Sequence, residues 1–158
     1  MTNLRNRARA QQIVSFEGMV RRGRLAPTDI DGFQEYNGVL FIYFEGKVIG
    51  TDMDLGQKMA FEHVCESYYN PDEKDYKKLK HFAWTLVFEH NVPAELDIVA
   101  KDQYVTNVYS SIQPEWRTPK SVDVVPKFKL DTNDRITLLD AIIQIEVWCR
   151  ENGIRIDR

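Results

Sequence analysis

Residues 27–47 read PTDIDGFQEYNGVLFIYFEGK, and this stretch sets the architecture around it. Asn37-Gly38 is a strong hairpin signal, because both residues tolerate the positive φ that a tight turn demands. Val39-Leu40-Phe41-Ile42-Tyr43-Phe44 is apolar on both faces, as a central strand would be. The stretch therefore predicts two strands, 29–36 and 39–47. Asp29 and Asp31 enter the first, and Glu45 and Lys47 leave the second. Charges flanking a buried strand pair need partners. Register decides whether these meet, since a slip of one residue turns every side chain over. A three-residue loop Tyr36-Asn37-Gly38 with a glycine bulge would set Glu35 opposite Val39 and Asp29 opposite Glu45. Asp29, Asp31, Glu45 and Lys47 would then share one face. A two-residue Asn-Gly loop would place the aspartates on the other face. The three-residue loop is the working expectation. Carboxylates gathered in this way suit Mg²⁺, which takes one or two of them and leaves its other positions to water and phosphate.

Upstream, residues 3–22 read as a helix. Ile13, Phe16, Glu17 and Val20 fall at i, i+3, i+4 and i+7, so Glu17 lies on the apolar stripe. Downstream, residues 53–69 read as a helix through Leu55, Met59, Phe61, Glu62 and Cys65, stopped by Asn70-Pro71. Residues 71–80, PDEKDYKKLK, form a charged connection. Residues 82–88 and 104–109 read as two more strands. Pro114, Pro119 and Pro126 make 113–130 irregular. Residues 134–152 are the best-marked helix, along which Ile136, Leu139, Ile143, Val147 and Arg150 step, with Gly153 as the stop. This order predicts one α/β domain, or an α+β variant, with helices covering a central mixed sheet.

The chain has 158 residues, enough for one domain with its own core. Its 43% hydrophobic and 28% charged composition is that of an ordinary globular protein. No apolar run reaches the roughly 20 residues of a membrane span. The opening MTNLRNRARAQQ lacks the apolar stretch of a secretory signal and is read as the start of the first helix, which points to a cytoplasmic protein. Cys65 and Cys149 are expected as buried thiols within helices. His63, His81 and His90 have no metal-ligand spacing, and no nucleophile triad, glycine-rich phosphate loop or zinc signature is present. Trp84, Trp116 and Trp148 are expected in the core or packed on the sheet, and Trp116-Arg117 is the best candidate for stacking on a base.

The net charge of −3 conceals an asymmetry. Residues 1–25 carry six arginines against Glu17 alone, a net +5, whereas the remainder carries 15 basic and 23 acidic residues, a net −8. A basic leading element is compatible with phosphate contacts.

The order of a helix with an inward Glu, a strand bearing Asp, a hairpin, a strand ending Glu-x-Lys and a helix carrying Gln resembles the PD-(D/E)xK nuclease superfamily, including its RecB-like branch. The likeness covers residues 13 to about 65. Glu45-Gly46-Lys47 matches the (D/E)xK element. Asp31 matches the metal-binding Asp by its hydrophobic-Asp context. Asp29 matches it instead if the Pro-Asp element is read with one residue inserted. Glu17 matches the helical Glu, and Gln57 the glutamine of the following helix. The resemblance implies a restriction-endonuclease-like core and hydrolysis of DNA phosphodiester bonds with Mg²⁺, for which Mn²⁺ can substitute. It implies metal ligation by Asp29 or Asp31, Glu45 and Glu17, water activation by Lys47, support from Gln57, and backbone contacts from Arg21, Arg22 and Arg24. Small chains of this kind often belong to phages or mobile elements. The acidic body suits a second expectation, a non-catalytic protein of the same fold that binds a protein or nucleic-acid partner. Without the resemblance, Glu17 would pair with Arg21 at i+4 and Gln57 would face solvent.

Overall fold

The computed structural model describes residues 30–75, 78–121 and 126–157. The predicted helix 3–22, with Glu17, Arg21, Arg22 and Arg24, and also Asp29, lie outside them. The described part is an α/β fold. A four-stranded mixed sheet has the order β1 (Gly32–Tyr36), β2 (Leu40–Val48), β3 (Phe82–His90), β4 (Tyr104–Ser110). Helices α1 (Leu55–Glu66) and α2 (Leu138–Glu151) flank it.

The hairpin closes at Asn37 (φ 55°) and Gly38 (φ 70°), and the Val39 amide donates to the Tyr36 carbonyl at 3.0 Å. Tyr36 pairs with Leu40 and Gly32 with Phe44. The register therefore differs by two residues from the expected one, with Glu35 opposite Phe41 rather than Val39. The turn centres on the two residues that accept positive φ, and Val39 becomes the extra loop residue. Because side chains alternate with a period of two, a two-residue shift preserves the face. Continued by one residue, the register brings Asp31, not Asp29, opposite Glu45.

From β2 the chain crosses through α1 to β3, which lies parallel to β2 with Glu45 beside Val87 and Lys47 beside Glu89. β4 returns antiparallel, with a bulge at Val87/Phe88. β3 is buried along nearly its whole length, which explains why its sequence is apolar at every position of 82–88 but Thr85. Leu40, Ile42, Phe82, Trp84 and Leu86 face α2 and form the main core. Phe41, Tyr43, Ala83 and Tyr109 face α1, with Cys65 among them. Cys65 and Cys149 are free and buried, as expected, and burial pushes both thiols up to about 12.

The stripes suggested by the spacing turn inward only in part, Phe61 and Cys65 doing so in α1 but Leu139, Ile143 and Val147 not in α2. In α1 the buried positions are Gln57, Phe61 and Cys65, at i, i+4 and i+8, while Leu55 and Met59 are exposed. In α2 they are Leu138, Ala141, Ile142, Ile145 and Cys149, and Leu139, Ile143 and Val147 are 42%, 42% and 41% exposed. Each helix carries two apolar ridges at helical spacing, and only packing against the sheet selects one. Ile136 is buried ahead of α2, its carbonyl accepting from the Val105 amide at 2.9 Å. Thr137 caps α2, accepting from the Asp140 amide at 3.2 Å, and Gly153 at φ 70° lies just beyond its end.

Candidate metal centre

The site forms where β2 leaves the core beneath the first turn of α1. Glu45 continues the Phe41–Tyr43 face toward α1, so alternation brings its carboxylate inward, where the residue is only 4% exposed. Asp54 caps α1 by accepting from the Gln57 amide at 2.7 Å. That cap fixes the first turn, and the side chain of Gln57 then points to the sheet rather than to solvent. Its Nε2 donates to Glu45 Oε1 at 2.6 Å. Lys47, two residues on and on the same face, brings Nζ to within 3.0 Å of the same oxygen. One carboxylate oxygen is thus held from two sides. Glu45 Oε2 and Gln57 Oε1 are both buried and have no hydrogen-bond partner among the described residues.

Asp31 stands at the mouth of the hairpin. Its Oδ2 accepts from the Gly46 amide at 2.7 Å, taking the place of the carbonyl that a longer β1 would supply. The Asp31 carboxylate is close enough to act on the charge of Glu45. Burial pushes the Glu45 carboxyl up from its ordinary value, and the Lys47 hydrogen bond pulls it down. The negative charge of Asp31 raises it further, and the Gln57 hydrogen bond lowers it. Burial prevails. A buried carboxylate with a like charge beside it and a free oxygen is short of positive charge.

Gly46 is required by its surroundings. A Cβ there would lie 2.7 Å from the Phe88 ring and 3.4 Å from Asp31 Oδ2. The residue between Glu45 and Lys47 is therefore the one type that lets the Phe88 ring close over the strand unmoved.

Asp31, Glu45, Lys47 and Gln57 are thus gathered at one place. Of the other residues singled out in the sequence, Asp29, Glu17, Arg21, Arg22 and Arg24 lie outside the described residues. Among the described residues no group of three or more His, Cys, Asp or Glu side chains could hold a metal ion. The donor set here is two carboxylates with a neutral amide oxygen. That set fits Mg²⁺, which is commonly held by one or two carboxylates and completes its shell with water and phosphate. His90 is engaged structurally, its Nδ1 accepting from the Val92 amide at 3.2 Å. Trp84 is buried in the core and packs edge-to-face with Trp148. Trp116 donates through Nε1 to Glu62 at 2.7 Å and tilts against Tyr109, which gives its ring a packing role.

Sequence reasoning did not single out Phe33 or Asn107. Phe33 pairs with Tyr43 in register and shares the Glu45 face, yet is 50% exposed. Asn107 pairs with Val87, which pairs with Glu45, so the three form one row across the sheet. The alternation of β1 could have marked Phe33 as an outlier, whereas Asn107 needed the β3–β4 register. Comparison of the chain with protein-family models, with curated proteins and with solved structures finds no match. Among the described residues no helix is long and apolar enough to cross a membrane.

Proposed function

We propose that this protein is a Mg²⁺-dependent nuclease that hydrolyses DNA phosphodiester bonds, as the resemblance of its hairpin and following helix to the PD-(D/E)xK superfamily implies. The observation that carries the reading is the state of Glu45. It is a buried carboxylate with one oxygen fixed by Gln57 and Lys47, the other without a described partner, and Asp31 beside it. Burying a charge in this way costs stability, and a cation would offset that cost. The order of the elements supports the same reading. Asp31 at the entry to β1, a hairpin, a Glu-x-Lys strand and a crossover helix whose glutamine returns to the Glu are consecutive.

Asp31 and Glu45 would hold the metal, with Asp29 or Glu17 as a further ligand. A bound Mg²⁺ would lower the pKa of an attacking water and neutralise charge on the scissile phosphate. Glu45 orients Lys47 by accepting from Nζ. Lys47 in turn offers a positive charge and further protons to an attacking water or to a phosphate oxygen. Gln57 fixes the Glu45 rotamer from the helix side. Arg21, Arg22 and Arg24 would contact the sugar-phosphate backbone, which makes binding salt-dependent.

The test is cleavage of plasmid, linear and single-stranded DNA with Mg²⁺ or Mn²⁺, beside the Glu45→Ala and Lys47→Ala proteins. Metal-dependent cutting lost in both variants is the expected result. A folded parent protein that does not cut with metal present would overturn the reading. It would favour the second one, a non-catalytic binding protein of the same fold, to which the net −8 of residues 26–158 is suited.

A further inference from the structure

Phe33 is an unusual residue for an edge strand. Its ring is half exposed, yet it is held flat. It stacks on Tyr43 with centroids 4.9 Å apart and an interplanar angle of 29°, and lies at 6.2 Å and 15° from Phe41. The layer extends to Tyr68, whose ring packs against Phe41 with centroids 5.0 Å apart. One face of Phe33 is therefore occupied by an aromatic layer, and the other is left uncovered by the described residues. Phe33 lies on the Glu45 face of β1, where it pairs with Tyr43, and follows Asp31 by two residues in the chain.

Residues 26–158 carry a net −8, so the phosphate contacts assigned to Arg21, Arg22 and Arg24 have little support from the rest of the chain. Stacking on an aromatic face adds affinity beside such contacts and accepts any base.

We propose that Phe33 is the platform on which an unpaired base stacks, beside the scissile phosphate that a cation bound by Asp31 and Glu45 would hold. The substrate is then a nucleic acid with an unpaired nucleotide at the cut, either a single strand or a strand end, rather than continuous duplex. This inference rests on the nuclease reading and deepens it.

The experiment compares metal-dependent cleavage of a single-stranded oligonucleotide and its blunt duplex by the parent, Phe33→Ala and Phe33→Trp proteins. Binding of the same single strand is measured by fluorescence anisotropy in the cleavage-deficient Lys47→Ala background. The expected result is faster cleavage of the single strand by the parent. In Phe33→Ala, single-strand binding and kcat/KM fall about tenfold, mostly through KM. Phe33→Trp restores both, because the larger ring still stacks. Equal cleavage of the two substrates with Phe33→Ala unchanged would overturn the inference and leave the nuclease reading standing. Absence of metal-dependent cleavage by the folded parent would overturn both. A thermal melt of each variant reports that the fold is intact.

Discussion

Gln57 and Glu45, one on the first turn of α1 and the other near the end of β2, are joined by a hydrogen bond of 2.6 Å between two buried side chains. The bond couples helix to sheet and gives Glu45 a single orientation. It also leaves each partner one oxygen without a described donor, so this contact alone does not satisfy the pair. Structures retain such groups where something else completes them.

Removing Gln57 should therefore affect the site more than the fold. Gln57→Ala removes a buried amide and its bond to a carboxylate, at a cost of about 1–3 kcal/mol. Because the lost group orients a metal ligand, cleavage and metal affinity should fall by about 10–100-fold. Chemical denaturation and a cleavage assay on the same preparation separate the two effects. Wild-type cleavage by this variant would remove Gln57 from the site.

The raised pKa of Glu45 gives stability a pH dependence of known sign. The folded protein favours the protonated carboxyl more than the unfolded chain does. The stabilising contribution is full below the ordinary carboxyl value of about 4.3 and is lost as pH rises through the higher folded value. In the metal-free protein, Glu45→Gln should flatten this decline and raise the melting temperature near pH 7. Melting curves in chelator from about pH 4 to about pH 8 test it. A variant that melts lower than the parent at neutral pH would show that the charged carboxylate is already satisfied without metal.

Gly46→Ala should destabilise through a clash rather than through chemistry. The added methyl meets the Phe88 ring at 2.7 Å, with an expected cost of about 1–3 kcal/mol. Phe88→Leu in the same chain should relieve part of it, giving a non-additive double-mutant cycle. Additive losses would place the strain elsewhere.

Lys47→Ala should fold normally, since the side chain is partly exposed and its partner Glu45 retains Gln57. Loss of a charge aimed at a phosphate is worth about 10²–10³ in rate. Steady-state cleavage should show this in kcat. An unchanged rate would exclude Lys47 from the mechanism.

Much of the fold was legible because the signals were local. Asn37-Gly38 fixed the hairpin, the largely apolar run 82–88 marked a buried strand, and Gly153 stopped the last helix, whereas α1 ends at Glu66, ahead of Asn70-Pro71. The register was two residues out, since the sequence does not say which residue of the loop is the extra one. The face survived because the error was even. The helix stripes were misjudged in part, for a different reason. Gln57 heads the inward stripe of α1, and a polar residue carries no hydrophobic signal. Its burial follows from Glu45 waiting on the sheet, a tertiary fact. The same holds for Phe33, whose exposure depends on what covers β1, and for Asn107, whose place in the Glu45 row depends on how β4 pairs with β3.

The most direct measurement is a calorimetric titration of Mn²⁺ and Mg²⁺ into the parent and Glu45→Gln proteins at neutral pH, each shown to be folded. The account predicts saturable binding to the parent that is lost in Glu45→Gln, because the free carboxylate oxygen is the ligand. No binding to the parent, or equal binding to both proteins, would contradict it.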